Sequence, residues 1–289
     1  MTDQASILRK MMAQQRMQPA TECFTCETLA ITSGKGGVGK SNVTMNLSIA
    51  LARSGQKVLI LDADIGTANI DVLLNIDPRR NLSHVIDGQA SLFEVLQKIT
   101  ENLYLIPGAS GTDDLGAMAY DKRGKLREDL EKVEKMFDFL IVDTSAGVNQ
   151  QVIKCLLGVD RIFLVCNSEP TSLVDAYALC KVLFQHKPDA SVEFIANNVR
   201  GKEEAREVYD KLSLAVKHFL QKELRYSSHI IHDQGVAFGV VNQKPLMMTE
   251  AADGAAADFF NLADTLKHPK GWANGKGVHH LFENLMETP

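Results

Sequence analysis

The chain is expected to be an α/β protein: a mostly parallel central sheet with helices on both faces, built around a phosphate-binding loop. Three observations carry that expectation. Short, nearly continuous apolar segments alternate with longer amphipathic ones, as in parallel sheets buried on both faces. Ile31-Thr32-Ser33-Gly34-Lys35-Gly36-Gly37-Val38-Gly39-Lys40-Ser41 matches G-x-x-x-x-G-K-[ST] at Gly34, Gly39, Lys40 and Ser41. Asp62, Asp143 and Asn197 fall at or just after the ends of apolar segments, on the sheet edge that would carry the loop.

Residues 1–27 read as an arm, polar and Met/Gln-rich, with Met11, Met12, Met17 and the breaker Pro19. Within it, Ala5, Leu8 and Met12 share one side of a short amphipathic helix. Residues 29–32 are the first strand. Val43, Leu47, Ala50 and Leu51 then recur at helical spacing, and Gly55 sits where that helix stops. Residues 57–61 form a strand ending in Asp62, 102–107 another, and 122–137 a charged surface helix. The apolar run Phe139-Leu140-Ile141-Val142 ends at Asp143. A helix over 151–157 leads to a strand over 161–165, a helix over 173–185 and a strand over 192–196. A long amphipathic helix over 203–220, a strand over 228–231 and a helix over 251–266 complete the domain. Beyond Pro269-Lys270-Gly271, the residues Val278, Leu281, Phe282, Leu285 and Met286 fall at i, i+3, i+4, i+7 and i+8, one apolar helical face. The expected division is an arm (1–27), a nucleotide domain (28–268), and a linker with an amphipathic helix (269–289).

At 289 residues the chain is long enough for one large domain with a substantial core. No apolar run approaches the ~20 residues that span a bilayer. Asp3 and Gln4 stand where a secretory signal needs an apolar stretch, so a cytoplasmic protein is expected. A formal charge of −5 argues against phosphate-driven DNA binding as the main activity. Five cysteines, an odd number, do not suggest a disulfide framework. Cys23 and Cys26 make a C-x-x-C pair with no second pair to complete a metal site, so they read as reduced thiols in a linker. Cys155, Cys166 and Cys180 read as core.

The chemistry follows from residue types. Glycines bring backbone N–H groups close to phosphate oxygens, and the following helix aims its positive end at the same anion. Gly34, Gly36, Gly37, Val38, Gly39, Lys40, Ser41 and Asn42 are therefore the candidate phosphate contacts. Lys40 would reach the β- and γ-phosphates, and the Ser41 hydroxyl would bind Mg²⁺. Asp62-Ala63-Asp64-Ile65-Gly66 places two carboxylates just after a strand. Asp143 ends a buried strand, followed by Gly147, whose backbone freedom would suit a γ-phosphate sensor.

An ordinary phosphate loop does not require Lys35. Lys-Gly-Gly-x-Gly-Lys-Ser over residues 35–41 resembles the deviant loop of the family of the cell-division ATPase MinD, the partition ATPase ParA and the nitrogenase iron protein. The resemblance implies ATP and Mg²⁺ as cofactors, and a homodimer in which Lys35 crosses to the other subunit's nucleotide. It makes Lys35, Lys40 and Asp64 catalytic, Asp64 as the water-positioning carboxylate. Ser41, Asp62 and Asp143 become the Mg²⁺ partners. Asn197 resembles the purine contact, with Asn198 leaving the register open by one. Asp233 resembles the segment closing over the base, and Lys244-Pro245 follows as in MinD.

The flanks narrow the resemblance. Asp3-Gln4-Ala5-x-x-Leu8-Arg9 and Glu169-Pro170-Thr171-Ser172-Leu173-x-Asp175-Ala176-Tyr177 are similar to the FlhG (FleN/YlxH) group, MinD-like ATPases that limit flagellar number. This implies an arm that stimulates the GTPase FlhF, with Gln4 at the partner's active site. Flagellar switch-ring proteins or a flagellar transcription regulator are the implied further partners. It also implies peripheral membrane contact through the apolar face of residues 278–286. The polar face of that helix carries Glu283, Glu287 and two His, not Lys/Arg, so the contact is expected to be weak. Packing back on its own domain is the alternative. The competing functions are a MinD-type cell-division regulator and a ParA-type DNA-partition ATPase. A metal-cluster carrier would need cysteines near residues 110 and 145, where there are none.

Overall fold

In the computed structural model, residues 26–64, 70–108, 120–267 and 276–286 are described, without the side chains of 120–123. Eight strands form one sheet: β1 (Glu27–Ser33), β2 (Val58–Ala63), β3 (Gln97–Lys98), β4 (Leu103–Ile106), β5 (Phe139–Ala146), β6 (Arg161–Cys166), β7 (Val192–Val199) and β8 (Leu224–Ile231). Their order is β3-β4-β2-β5-β1-β6-β7-β8, and every pairing is parallel except β3 with β4.

Eleven α-helices are found among the described residues: α1 (Lys40–Arg53), α2 (Ile70–Leu73), α3 (Leu82–Ile86), α4 (Leu92–Val95), α5 (Tyr120–Met136), α6 (Gln150–Gly158), α7 (Pro170–His186), α8 (Lys202–Ala215), α9 (Gln234–Val241), α10 (Ala255–Leu266) and α11 (Gly277–Met286). The alternation of side chains along each strand sorts the core into two layers. Leu29, Ile31, Ile60, Ile141, Phe163 and Ile195 meet α1 and α10. Ala30, Leu61, Leu140, Leu164 and Phe194 meet α5, α6, α7, α8 and α11. The same parity puts Asp62, Asp143 and Asn197, two residues beyond Ile60, Ile141 and Ile195, on the α1 face.

The expected architecture is present, with local differences. β5 runs past Asp143 to Ala146, and β7 past Asn197 to Val199, so both polar residues sit inside strands. The helix expected over 203–220 is α-helical only to Ala215 and continues as a π-turn over Val216–Leu220. The short helices α2, α3 and α4 and the helix α9 were not expected. Glu27, assigned to the arm, is the first residue of β1, and Cys26 is a fully buried core thiol, not a linker residue. Cys23, Gly66 and the candidate contacts Asp3, Gln4, Ala5, Leu8 and Arg9 lie outside the described residues.

The C-terminal helix follows the alternative reading. Val278, Leu281, Phe282 and Leu285 are buried and Met286 packs at their edge, all against the chain's own core, beside α5 and α6. Each apolar side chain so covered contributes about 1.5–3 kcal/mol. In this arrangement the face assigned to a membrane is covered by protein. Among the described residues no helix is long and apolar enough to cross a membrane. Docking depends on Gly158, where an added Cβ would lie 2.8 Å from Leu281 Cα. Gly158→Val should therefore loosen α11, since overpacking costs about 1–3 kcal/mol. Trypsin should then remove the segment after Lys276 at least about tenfold faster than in wild type. An unchanged cleavage rate would mean that α11 is held by contacts elsewhere.

Candidate functional site

The loop between β1 and α1 is closed on three sides by parts distant in sequence. A Cβ at Gly34 would overlap the backbone of Asp175, and one at Gly39 would overlap the amide of Asn197. Gly39, at φ 90°, is the N-cap of α1, so the positive end of a 14-residue helix opens onto the loop. The Gly147 N–H donates to Ser33 O (2.9 Å), tying the end of β5 to the start of the loop. Gly36 and Gly37 stay exposed, and Ser41 and Asn42 are half-buried.

Lys35 turns back on its own chain. Its ammonium donates to Glu169 Oε2 (2.5 Å) and Thr171 Oγ1 (2.8 Å) at the start of α7. The lysine holds the Glu169 carboxyl below its usual range.

Lys40 is buried, with its ammonium 3.5 Å from Asp143 Oδ1, which also accepts from Thr44 Oγ1 at 2.7 Å. Asp143 Oδ2 is buried and has no hydrogen-bond partner among the described residues. Asp62 is the in-register neighbour of Asp143 on the adjacent parallel strand, and both are buried. Its two oxygens accept from Asp64 N (3.1 Å) and Ile70 N (3.3 Å), bracketing the segment after β2. Two buried carboxylates side by side repel, and one lysine at 3.5 Å offsets one of them. A cation beside Asp143 Oδ2 would satisfy that oxygen and ease the repulsion between the pair. No three acidic, His or Cys side chains gather into a cage among the described residues. Mg²⁺ keeps waters and takes phosphate oxygens beside one or two protein ligands, so an open carboxylate oxygen such as Asp143 Oδ2 fits it.

On the other flank, Asn197 Nδ2 donates to Val38 O (2.8 Å) from a buried position. Asn198, at φ 60°, is exposed and pairs with His232. Asn197 thus turns inward against the loop and Asn198 outward. Asp233 is engaged in turn geometry: Oδ1 accepts from Gly235 N (2.7 Å) and Oδ2 from Ala255 N (3.0 Å).

The AAA domain profile matches residues 26–190. The antiactivator FleN of Pseudomonas aeruginosa is 34% identical over 264 residues, covering 91% of this chain and 94% of that protein. The flagellum site-determining protein YlxH of Helicobacter pylori is 38% identical over 273 residues, covering 90% and 89%. The chain belongs to the FleN/YlxH group of MinD-like ATPases. Its fold agrees: MinD of Pyrococcus horikoshii, solved with Mg-ADP, superposes with a TM-score of 0.67 at 27% identity, covering 83% of this chain and 96% of that one.

Two features of this FleN/YlxH-type site were missed in the sequence. Thr44 lies one turn after Lys40 on α1, and a hydroxyl at that spacing faces the strand end. The pairing of Lys35 with Glu169 and Thr171 joins residues more than 130 positions apart, which no local pattern reveals. Among the described residues the cysteines are buried, free thiols. Burial alone pushes the Cys155 thiol up to about 12, and burial above all pushes that of Cys180 up to about 12, so neither is a thiolate near neutrality.

Proposed function

We propose that the chain is an ATP-hydrolysing dimerisation switch that regulates flagellar number or placement. The observation that carries this reading is the buried Asp62–Asp143 pair beside Lys40, at the mouth of a loop that also bears Lys35. Lys40 would move from Asp143 to the β- and γ-phosphates, and Ser41 and Asp143 Oδ2 would hold Mg²⁺, Asp143 through a water. Bound Mg²⁺ would offset the phosphate charge that develops during transfer. Asp64 would orient the attacking water, while Asp62 would join the Mg²⁺ shell and set the segment that carries Asp64. Asn197 would support the base end. Kinship with FleN and YlxH supports the flagellar role. The arm (1–27) would engage an FlhF-type GTPase through Asp3, Gln4, Ala5, Leu8 and Arg9, and the domain (28–268) would bind the nucleotide. Weak membrane contact would require α11 to leave its groove. Size-exclusion chromatography with ADP or ATP, with and without an FlhF-type GTPase, tests the switch. A monomer under every condition removes it.

For Lys35 to reach a second subunit, it must leave Glu169 and Thr171. That pair is exposed, and exposed pairs are weak. Glu169→Gln should therefore shift ATP-dependent dimerisation to roughly two- to fivefold lower protein concentration, read by analytical ultracentrifugation. A shift in the opposite direction would mean that Glu169 helps the dimer.

A further inference from the structure

Asp143 Oδ1 has two neighbours of different kinds, a charge that can leave and a hydroxyl that cannot. Lys40 Nζ stands 3.5 Å from this oxygen, and Thr44 Oγ1 donates to it at 2.7 Å. In the cycle proposed above, Lys40 departs for the phosphates. Thr44 has no such freedom, because its side chain is fully buried, β-branched and mounted one turn further along α1.

A hydroxyl has a single proton, and that of Thr44 has two acceptors within reach. A Ser or Thr inside a helix commonly donates to the carbonyl four residues back. Ser48, on the next turn of α1, does so, with Thr44 O at 2.7 Å. Thr44 itself lies 3.2 Å from Lys40 O but closer to the carboxylate, whose charge makes it the stronger acceptor. The proton therefore goes to Asp143. The terminal torsion of an Asp side chain is broad, so the residue alone does not fix how its two oxygens are shared out. The Thr44 bond fixes it: Oδ1 is taken, and Oδ2, buried and without a hydrogen-bond partner among the described residues, is the oxygen left over.

We infer that Thr44 is a positioning residue for the Mg²⁺ site. It holds Asp143 by Oδ1 through the whole cycle, so that Oδ2 stays available to the metal's shell after Lys40 has gone to the phosphates. This rests on the nucleotide reading above. Ser41, inside the loop, would touch the ion, whereas Thr44, three residues beyond it, acts only through Asp143. Without the hydroxyl, Asp143 would lose that donor as well as the lysine when the phosphates arrive, beside the equally buried Asp62.

Calorimetric titration of the full chain with a non-hydrolysable ATP analogue, once in Mg²⁺ and once in EDTA, reads this role as a ratio of affinities. Thr44→Val keeps the branched shape but not the proton. It should shrink the gain from Mg²⁺ at least about tenfold, the usual effect of removing an outer-shell partner of a metal ligand. Affinity in EDTA should be unchanged, because Lys40 and the loop are untouched. Thr44→Ser restores the hydroxyl and should recover the wild-type gain, which a packing role of the threonine would not. If Thr44→Val weakens binding equally in both conditions, or in neither, Thr44 does not position Asp143 for the metal. Loss of the gain in Thr44→Ser would overturn the role as well, even were the valine variant to fold poorly. A wild type that binds the analogue equally in both conditions removes the Mg²⁺ site, and this role with it, while sparing the nucleotide site. A wild type that binds it in neither overturns the nucleotide reading itself.

Discussion

The Lys40→Ala chain is expected to bind ATP about a hundredfold more weakly than wild type, at a cost near 3 kcal/mol, and to show no measurable hydrolysis. Hydrogen bonds to charged groups are worth about 1.5–3 kcal/mol each, and a lysine reaching two phosphates makes at least one on each. Lys35, the loop's other lysine, is held by Glu169 and Thr171 and so does not stand in for it within the subunit. The same substitution removes the cation paired with Asp143, whose Oδ2 has no partner among the described residues, so the variant should also melt at lower temperature. Lys40→Gln separates the two effects. It can still donate to Asp143 and should keep most of the stability, yet it carries no charge for the phosphates. Calorimetry with Mg-ATP on both variants decides the matter. Affinity within threefold of wild type for Lys40→Gln would mean that the triphosphate lies elsewhere.

The loop was legible because its physics is local: a strand, glycines, a lysine and a helix N-terminus within about twenty residues carry their own meaning. The sheet was legible for a similar reason, since strands buried on both faces carry near-continuous apolar runs, as residues 29–31 of β1, 58–61 of β2 and 139–142 of β5 do. What escaped depends on contacts made at a distance. Nothing near Lys35 says that its ammonium folds back on Glu169. Nothing near Asp233 says that its carboxylate is consumed by the backbone of α9 and α10. The apolar stripe of α11 was plain, but a stripe is the same for a membrane as for a groove. The groove exists because Gly158, on a different helix, leaves room for Leu281. Asn197 was assigned to a strand end because its polarity breaks the apolar run. Inside β7 it is tolerated because Val38 O satisfies it.

Asp64→Ala should separate binding from chemistry in the opposite sense to Lys40→Ala. ATP affinity should stay within about threefold of wild type, while turnover falls about a hundredfold or more, the usual worth of a group that positions or deprotonates the nucleophile. Three carboxylates lie at the end of β2 and β5, and they are not equivalent. Asp143 is fully buried, meets Lys40 and Thr44, and keeps one oxygen for a cation. Asp62 is equally buried and spends its oxygens on the backbone N–H groups of Asp64 and Ile70. Asp64 alone is half-buried, on the segment that Asp62 brackets, where a water has access. Loss of Asp64 leaves the loop, Lys40 and the Asp62–Asp143 pair untouched, so ATP should still load. Because hydrolysis is what returns the dimer to monomers in the proposed cycle, the variant should elute as a dimer with ATP and remain one for hours. Phosphate release and chromatography on the same sample read both halves of the prediction. Normal turnover would move the water-positioning role off Asp64, and lost turnover without a persistent dimer would detach hydrolysis from dissociation.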